Sequence, residues 1–349
     1  MKKEDCERTV PAAEFKTHRR TIPLANGAAA GEHGLTMTTP RLLPLALACA
    51  AFGLDVSVAG AATNAKRTPR DITSAPPVNA TVQRDIPYAT VDGVTLTLDL
   101  YSPKANGAAP RPLVVYVHGG GWRGGAKTTG SYIVDVTADL VSRGYVMAAI
   151  DYRLAPAAKW PAFIYDVKTA IRFLRAHAAE YRLDPHRIGA WGGSAGGHLV
   201  SLLGTADASA GLEDAAGAPK TSSRVQAVVD LFGPADLVRM DRGGDGGARR
   251  ADAFGTEPDV LRRASPITYV SKDDPPFLIL QGDADRLVPV EQSRHFYEAL
   301  RAAGVPATLI IVKGGAHGLN NPGIAPTKPE LVKTIGDFFD RHLRRSTSP

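Results

Sequence analysis

Three short segments of the chain contain the residue types that nucleophilic acyl transfer requires. Ser194 lies in a Gly-x-Ser-x-Gly pattern (192–196), and Asp285 and His317 follow it along the chain, each just after an apolar run. A serine hydroxyl needs a base to take its proton, and the base needs a carboxylate to orient it. The order serine, acid, histidine therefore predicts Ser194 as nucleophile, Asp285 as acid and His317 as base.

A fourth segment, His118-Gly119-Gly120-Gly121-Trp122, directly follows another apolar run. Glycines allow backbone N–H groups to face a small anion without obstruction by side chains. The amides of this segment, together with that of Ala195, are expected to form an oxyanion hole, in which one donor is typically worth about 100- to 1,000-fold in rate. Trp122 is a candidate contact for an aromatic or sugar ring of the substrate, and packing behind the loop is its alternative position.

The glycine segment also satisfies the dinucleotide-binding pattern Gly-x-Gly-x-x-Gly over residues 119–124. That pattern requires an acidic residue about 20 positions further on, at the end of the next strand. Asp139 has this separation but falls in a predicted helix, whereas Asp151 ends the next strand but lies too far along the chain. The sequence thus favours hydrolysis over nucleotide binding, and no cofactor is expected.

Asp283 is the alternative acid, two residues before the preferred Asp285. Asp285 is favoured because it stands shortly before a Leu-Val-Pro turn (287–289) into the next predicted helix. The acidic residues and histidines near these segments do not have the spacing of metal ligands, so no metal site is expected.

Eight apolar segments of strand length position these residues. The first two flank Asp92-Gly93, which predicts an antiparallel hairpin, and the later ones alternate with amphipathic helices. This order predicts an α/β fold with one mainly parallel eight-stranded sheet and helices on both faces. The predicted strands cover residues 86–90, 94–101, 113–117, 145–150, 187–191, 225–232, 277–281 and 308–312, and the helices 133–142, 162–178, 195–203, 291–303 and 330–343.

Residues 233–272, here called the insertion, interrupt the alternation. They include the run Gly243-Gly244-Asp245-Gly246-Gly247, which is too flexible for a core. A structureless insertion of this length is often a lid or a binding loop. A surface excursion without function is equally compatible with the sequence.

The first 84 residues are not expected to belong to the fold. Residues 1–61 resemble a signal peptide: an apolar run from Leu42 to Leu54 precedes a small-x-small cleavage site, and Met37 is a candidate translation start. A membrane anchor is the alternative, but Gly53 and Asp55 interrupt the run. Residues 62–84 are expected to be an exposed linker. The predicted location is secreted or periplasmic, without a stable membrane anchor after cleavage.

The composition of the chain limits its partners. It has 349 residues, of which 44% are hydrophobic, so wholesale disorder is excluded. The net charge is +6, but the 41 basic and 35 acidic residues are interleaved rather than clustered, which argues against a nucleic-acid partner. The oligomeric state stays open.

Residues 85–345 resemble an α/β-hydrolase, and more narrowly the carboxylesterases with a His-Gly-Gly-Gly-Trp signature. The segments that carry the resemblance are 118–122, 151–154, 160–161, 187–189 and 191–197. The feruloyl/acetyl-esterase-like branch fits better than the hormone-sensitive-lipase-like branch, which usually has Asp where this chain has Gly193. The resemblance implies the triad named above and assigns the oxyanion hole to the amides of Gly120, Gly121 and Ala195.

The resemblance implies hydrolysis of a small-molecule or carbohydrate ester, of short-chain or aryl type, through an acyl-enzyme. Kynurenine-formamidase-like amidases share much of the signature, so amide cleavage is an alternative. An exported binding protein without catalysis is the alternative from another functional class, because a fold alone does not determine chemistry.

Overall fold

The structure is a computed structural model that describes residues 71–74, 76–104, 109–213, 219–240 and 244–344. The predicted signal peptide, its cleavage site and Met37 lie outside the described residues, and export stays a prediction. Within these ranges, no helix has the length and apolar character needed to cross a membrane.

One eight-stranded sheet organises the described residues, and its strand order is β1-β2-β4-β3-β5-β6-β7-β8. The strands β1 and β2 form an antiparallel hairpin, β2 is antiparallel to β4, and every other neighbouring pair is parallel. The predicted fold class is confirmed. The strands are β1 (Ala80–Val91), β2 (Val94–Pro103), β3 (Arg111–Val117), β4 (Val146–Ile150), β5 (Leu183–Gly193), β6 (Ala227–Leu231), β7 (Phe277–Gly282) and β8 (Ala307–Val312).

Seven helices accompany the sheet in the described residues. They are α1 (Ile133–Ser142), α2 (Ala162–Ala176), α3 (Ala195–Thr205), α4 (Gly244–Phe254), α5 (Pro258–Arg263), α6 (Val290–Ala302) and α7 (Lys328–Leu343). Alternate residues of β3 point to two separate apolar layers. Val115 belongs to the layer that α2, α3 and α6 cover, and Val114 to the layer that α1 and α7 cover. Helices therefore pack on both faces, which buries the central strands completely.

The expectation of an exposed linker over residues 62–84 is wrong for the part that the structure describes. Ile72 is fully buried, and its backbone N–H donates to the carbonyl of Thr128. Strand β1 begins at Ala80, which pairs with Pro103 of β2. The first strand is longer than its apolar pattern indicates: its added residues pair with β2, and two of them, Ala80 and Val82, pack on the apolar layer of α1 and α7.

The expectation of a structureless insertion at 233–272 is also wrong. The insertion contains α4, α5 and a short 3-10 helix at Pro266–Tyr269. Leu237, Phe254 and Leu261 are among its side chains that are buried in the apolar layer of α2 and α3. Four of the five residues of the glycine run, 244–247, belong to the first part of α4, so the segment is a folded element that packs against the sheet domain.

Candidate active site

Ser194 occupies the turn between β5 and α3 in a conformation that L-residues rarely adopt, with φ 57° and ψ −122°. Its N–H donates to the carbonyl of Leu231 over 2.9 Å, which fixes the turn. The flanking glycines are required by space: a Cβ on Gly192 would lie 2.6 Å from the backbone of Gly196, and one on Gly196 would lie 2.1 Å from the Val117 carbonyl oxygen. The turn thus projects the serine hydroxyl outward.

The structure brings Ser194, His317 and Asp285 together from three separate loops. The Nε2 atom of His317 lies 3.0 Å from Ser194 Oγ, and its Nδ1 atom lies 2.8 Å from Asp285 Oδ2. Since an ionised carboxylate only accepts, Nδ1 carries the proton in this pair, and Nε2 is left to accept from the serine hydroxyl. The imidazole is therefore oriented as the base that the sequence predicts.

Asp285 is held by more donors than the histidine alone. Its Oδ1 accepts the N–H groups of Leu287 and Val288 over 2.9 and 3.0 Å, and its Oδ2 also accepts from Gln281 Nε2 over 3.2 Å. Burial raises the pKa of the Asp285 carboxyl, but the hydrogen bond and charge of His317 and the two amides outweigh it, so the pKa is lowered overall. The carboxylate is ionised whenever the base is in use.

Asp283, the alternative acid, serves a different purpose. It is exposed, and its Oδ1 accepts the N–H of Gly314 over 2.7 Å, which links the loop after β7 to the loop after β8. The structure places Asp285 and not Asp283 against His317.

The predicted oxyanion-hole residues border the same space. Gly120 and Gly121 have φ values of +120° and +62° in the loop after β3, and a Cβ on Gly120 would lie only 2.0 Å from the carbonyl oxygen of Gly124. Ala195 is the first residue of α3, so its N–H has no acceptor within the helix. Together with the positive end of the helix dipole, these amides can stabilise a developing negative charge.

Trp122 lies behind this loop, which corrects its predicted role as a ring contact for the substrate. The residue borders the cavity, but only 3% of it is exposed. Its indole N–H donates to His198 Nδ1 over 3.3 Å, and its ring meets that of Phe254 edge-on. The buried indole leaves little surface on which a substrate ring could stack.

His198 is neutral, since burial lowers its pKa to about 4 although a hydrogen bond to the Ala264 carbonyl opposes the shift. Its Nε2–H donates to that carbonyl over 2.7 Å, and Nδ1 accepts from Trp122. This arrangement satisfies both ring nitrogens, so His198 is a structural residue.

A cavity of about 400 Å³ opens at Ser194 and His317. The sequence-based prediction missed several of its residues. Phe232 directly follows β6 and meets the His317 ring edge-on at 4.9 Å, and its place at the carboxyl end of a strand is the signal that could have identified it. Further side chains that line the cavity come from Tyr116, Thr129, Ser131, Pro234, Met240, Arg249, Leu287 and Val288.

In the part of the chain that the structure describes, no cluster of three or more His, Cys, Asp or Glu side chains has the arrangement of a metal site.

Comparison with known proteins gives a family and several related enzymes. The BD-FAE family model matches residues 98–300. Esterase LipC of Mycobacterium tuberculosis is 36% identical over 243 residues, which cover 66% of this chain and 59% of LipC. Esterase LipQ of the same organism is 31% identical over 73% of this chain and 61% of its own length. The chain thus spans about three fifths of these two curated relatives.

Solved structures are similar over a larger share of their own length. A truncated carbohydrate esterase from gut microbiota superposes with a TM-score of 0.66 and 31% identity, covering 79% of this chain and 99% of that one. Propionate-bound esterase 2 of Thermogutta terrifontis gives a TM-score of 0.63 and 31% identity over 77% of this chain and 96% of that one.

Proposed function

The chain belongs to the BD-FAE family of α/β-hydrolases, and we propose that it is a serine carboxylesterase that cleaves short-chain, aryl or carbohydrate esters through an acyl-enzyme. The observation that carries the proposal is the continuous hydrogen-bonded series from Asp285 through His317 to Ser194 at the floor of the cavity. A hydroxyl held 3.0 Å from an oriented imidazole is the arrangement that acyl transfer requires.

In the proposed mechanism, Ser194 Oγ attacks the ester carbonyl carbon while His317 Nε2 takes the hydroxyl proton. The carbonyl oxygen becomes an oxyanion that the amides of Gly120, Gly121 and Ala195 stabilise. The carbon–oxygen bond to the alcohol then breaks, and the alcohol leaves with the proton from His317. A water molecule repeats these steps on the acyl-enzyme, releasing the acid and restoring Ser194.

The cavity supports a small substrate. Its volume of about 400 Å³ is near the lower end for ligand pockets, which suits a short acyl chain or a single ring. Phe232, Met240 and Val288 give it an apolar wall, as an uncharged acyl group requires. The carbohydrate esterase and the propionate-bound esterase among the related structures are consistent with this range of substrates.

The decisive experiment compares the wild type with Ser194→Ala on p-nitrophenyl acetate. We expect turnover of the variant to fall about 10⁶-fold, and His317→Gln to behave similarly, because both remove a member of the acyl-transfer machinery. Ser142→Ala, at an exposed position on α1, is the matched control and should keep wild-type activity. Wild-type turnover by Ser194→Ala would disprove the assignment.

Two measurements separate the alternatives. A fluorophosphonate probe should label the wild type at Ser194 and fail to label the Ala variant, whereas a non-catalytic binding protein would not be labelled at all. A panel of acetyl, butyryl, feruloyl and xylan-acetate esters, with an N-formyl anilide for amide cleavage, then determines substrate preference.

A further inference from the structure

Helix α4 of the insertion is anchored beside the glycine loop by an aromatic cluster. Phe254, its last residue, is 5% exposed and contacts four rings with centroid distances of 4.9 to 5.8 Å. The backbone N–H of Trp160 also donates to the carbonyl of Ala253. These contacts fix the C-terminal end of α4 against the sheet domain. The four rings belong to Trp122, Trp160, Phe163 and His198.

Polar contacts fix the rotation of α4 about its own axis. Asp252 forms a salt bridge of 2.7 Å with Arg123 of the loop after β3. Arg250 is buried, and its guanidinium donates to the carbonyls of Leu237 and Met240 over 2.9 and 3.1 Å. The side chain of Arg250 thus points into the insertion, and that of Asp252 points toward Arg123. In this rotation of α4, the side chain of Arg249 borders the active-site cavity.

Arg249 lies directly over the predicted oxyanion-hole loop. A Cβ on Gly121 would meet the Arg249 side chain, 2.7 Å from Cδ and 3.3 Å from Nη1. The same arginine borders both the catalytic cavity and a second hollow of about 380 Å³. The second hollow is lined by Gly120, Arg123, Gly124, Ala248 and Arg249.

Arg249 and its neighbour Arg123 differ in their partners among the described side chains, which do not include those of residues 244–246. Arg123 forms a salt bridge with Asp252, whereas none of the described carboxylates lies within 4.0 Å of the Arg249 guanidinium. The described lining of the catalytic cavity includes no Asp or Glu side chain. A guanidinium in this setting offers a planar set of donors that matches a carboxylate, sulfate or phosphate group.

We infer that Arg249 forms an anion subsite that selects ester substrates carrying a negatively charged group close to the scissile bond. The inference rests on the proposed esterase function and names a substrate class for it. With the ester carbonyl at Ser194 and its oxygen near Gly121, a substituent that extends over the loop reaches the guanidinium at the junction of the two hollows. A neutral substrate makes no such contact.

The test compares matched neutral and anionic esters in the wild type and in Arg249→Gln. One pair places the charge on the acyl part (p-nitrophenyl acetate and mono-p-nitrophenyl succinate), and the other on the alcohol part (phenyl acetate and 4-acetoxybenzoate). The ratio of kcat/KM for the anionic ester to that for the neutral ester should fall about three- to tenfold in one of the pairs, the range expected of a solvent-accessible charge pair. The affected pair identifies the side of the ester that bears the charge.

Two further variants make the result specific. Arg249→Lys keeps the charge without the planar fork and should restore part of the ratio. Arg301→Gln removes one positive charge from the last turn of α6, outside the cavity, and should leave the ratio unchanged. Added salt should reduce the anionic preference of the wild type and have little effect on that of Arg249→Gln.

An unchanged ratio in Arg249→Gln for both pairs would overturn the inference, and so would an equal fall in Arg301→Gln, which would indicate only the net charge of the protein. In both cases p-nitrophenyl acetate is still hydrolysed in a Ser194-dependent manner, so the proposed function survives. If the wild type hydrolyses none of the esters, the proposed function fails and the inference fails with it.

Discussion

The active-site cavity has two walls that are built in different ways. The loops after β5, β7 and β8 carry Ser194, Asp285 and His317, and each is fixed by strain or by hydrogen bonds to the sheet framework. The insertion, in contrast, is attached by side-chain contacts, among them the burial of Leu237, the rings around Phe254 and the salt bridge of Asp252. Groups that must be placed to a fraction of an ångström belong on the rigid element, whereas a wall that only contacts substrate tolerates looser support.

This difference predicts that substitutions in the two walls affect different kinetic constants, and the kinetics of variants can test it. Changes in the sheet loops should lower kcat, because they alter groups that act in the transition state. Changes in the insertion should alter KM and selectivity and leave the chemical step largely intact. A variant of the insertion that abolishes kcat without unfolding would contradict the division.

The largest effect after loss of the nucleophile is expected for Asp285→Asn. The amide cannot accept the Nδ1 proton of His317 in the same way, so the imidazole adopts the wrong tautomer, and kcat should fall by about 10⁴-fold, as in related triads. Asp283→Asn is the matched control, since it makes the same change at an exposed residue whose hydrogen bond from Gly314 N–H the amide oxygen can still accept, and it should cost far less than Asp285→Asn. Steady-state kinetics on p-nitrophenyl acetate measures both variants. An equal loss of kcat in the two would contradict the assignment of Asp285 as the acid.

A somewhat smaller effect is expected for Gly120→Ala. The new Cβ would lie 2.0 Å from the Gly124 carbonyl oxygen and would have to be accommodated at a φ of +120°, so the loop must move its amides. We expect kcat to fall about 100- to 1,000-fold, with circular dichroism unchanged. Gly144→Ala is the control, because Gly144 also has a positive φ, of +92°, but has open space around its Cβ position. A comparable loss of activity in Gly144→Ala would show that backbone strain, not the oxyanion hole, is responsible.

The sheet and the triad could be predicted from the sequence because both depend on local patterns. Buried parallel strands form continuous apolar runs, and helix α1 begins and ends where its periodicity places it, at Ile133 and Ser142. The catalytic residues directly follow such strands, so locating the strands also locates Ser194, Asp285 and His317 at one edge of the sheet.

The insertion could not be predicted in the same way because its order comes from distant contacts. Helix α4 has the sequence GDGGARRADAF, which has too few large apolar residues to indicate a helix. Its anchor, Phe254, contacts rings that are remote in the chain, and Trp122 likewise finds its hydrogen-bond partner 76 residues away, at His198. The sequence shows where Phe254 and Trp122 stand in the chain, but it does not show which distant side chains they will contact.

The insertion side of the comparison is tested by Phe254→Ala. Removal of a buried phenyl ring typically lowers the free energy of unfolding by about 3–5 kcal/mol. Here the removed ring is the one that anchors α4 to the sheet domain, so α4 should be the part that loosens. We expect KM for p-nitrophenyl esters to rise severalfold while kcat falls by less than about threefold, because Arg249 and Met240 are displaced and the triad is not. Limited proteolysis should detect earlier cleavage within the insertion.

Phe338→Ala is the matched control for Phe254→Ala. Phe338 has a similar exposure, 6% against 5%, and also meets a phenyl ring edge-on, but it lies on α7 in the other apolar layer. The Phe338→Ala variant should have a melting temperature lowered about as much as that of Phe254→Ala, and its KM should stay at the wild-type value. A rise in KM in both variants would mean that the two walls are not independent.

The smallest effect on activity is expected for a substitution of Asp230, which lies where β6 meets the insertion. Its Oδ1 accepts the N–H of Gly233, the first residue of the insertion, and its Oδ2 accepts from Ser201 Oγ. Burial raises the pKa of this carboxyl from 3.8 to about 6, although both hydrogen bonds oppose the shift. Because the folded state binds the proton more tightly than the unfolded state, the wild type should lose stability as the pH rises between these two values, by about 3 kcal/mol in total.

Asp230→Asn removes this titration while keeping an acceptor for Gly233 and a polar partner for Ser201. Urea unfolding should show equal stability of the two proteins below about pH 4 and a more stable variant above about pH 6, with kcat changed by less than about twofold. Asp285 contributes in the opposite sense, since its lowered pKa stabilises the fold above 3.8 and that stabilisation is lost in acid. Parallel pH curves for the wild type and Asp230→Asn would show that the junction is not strained by a buried charge.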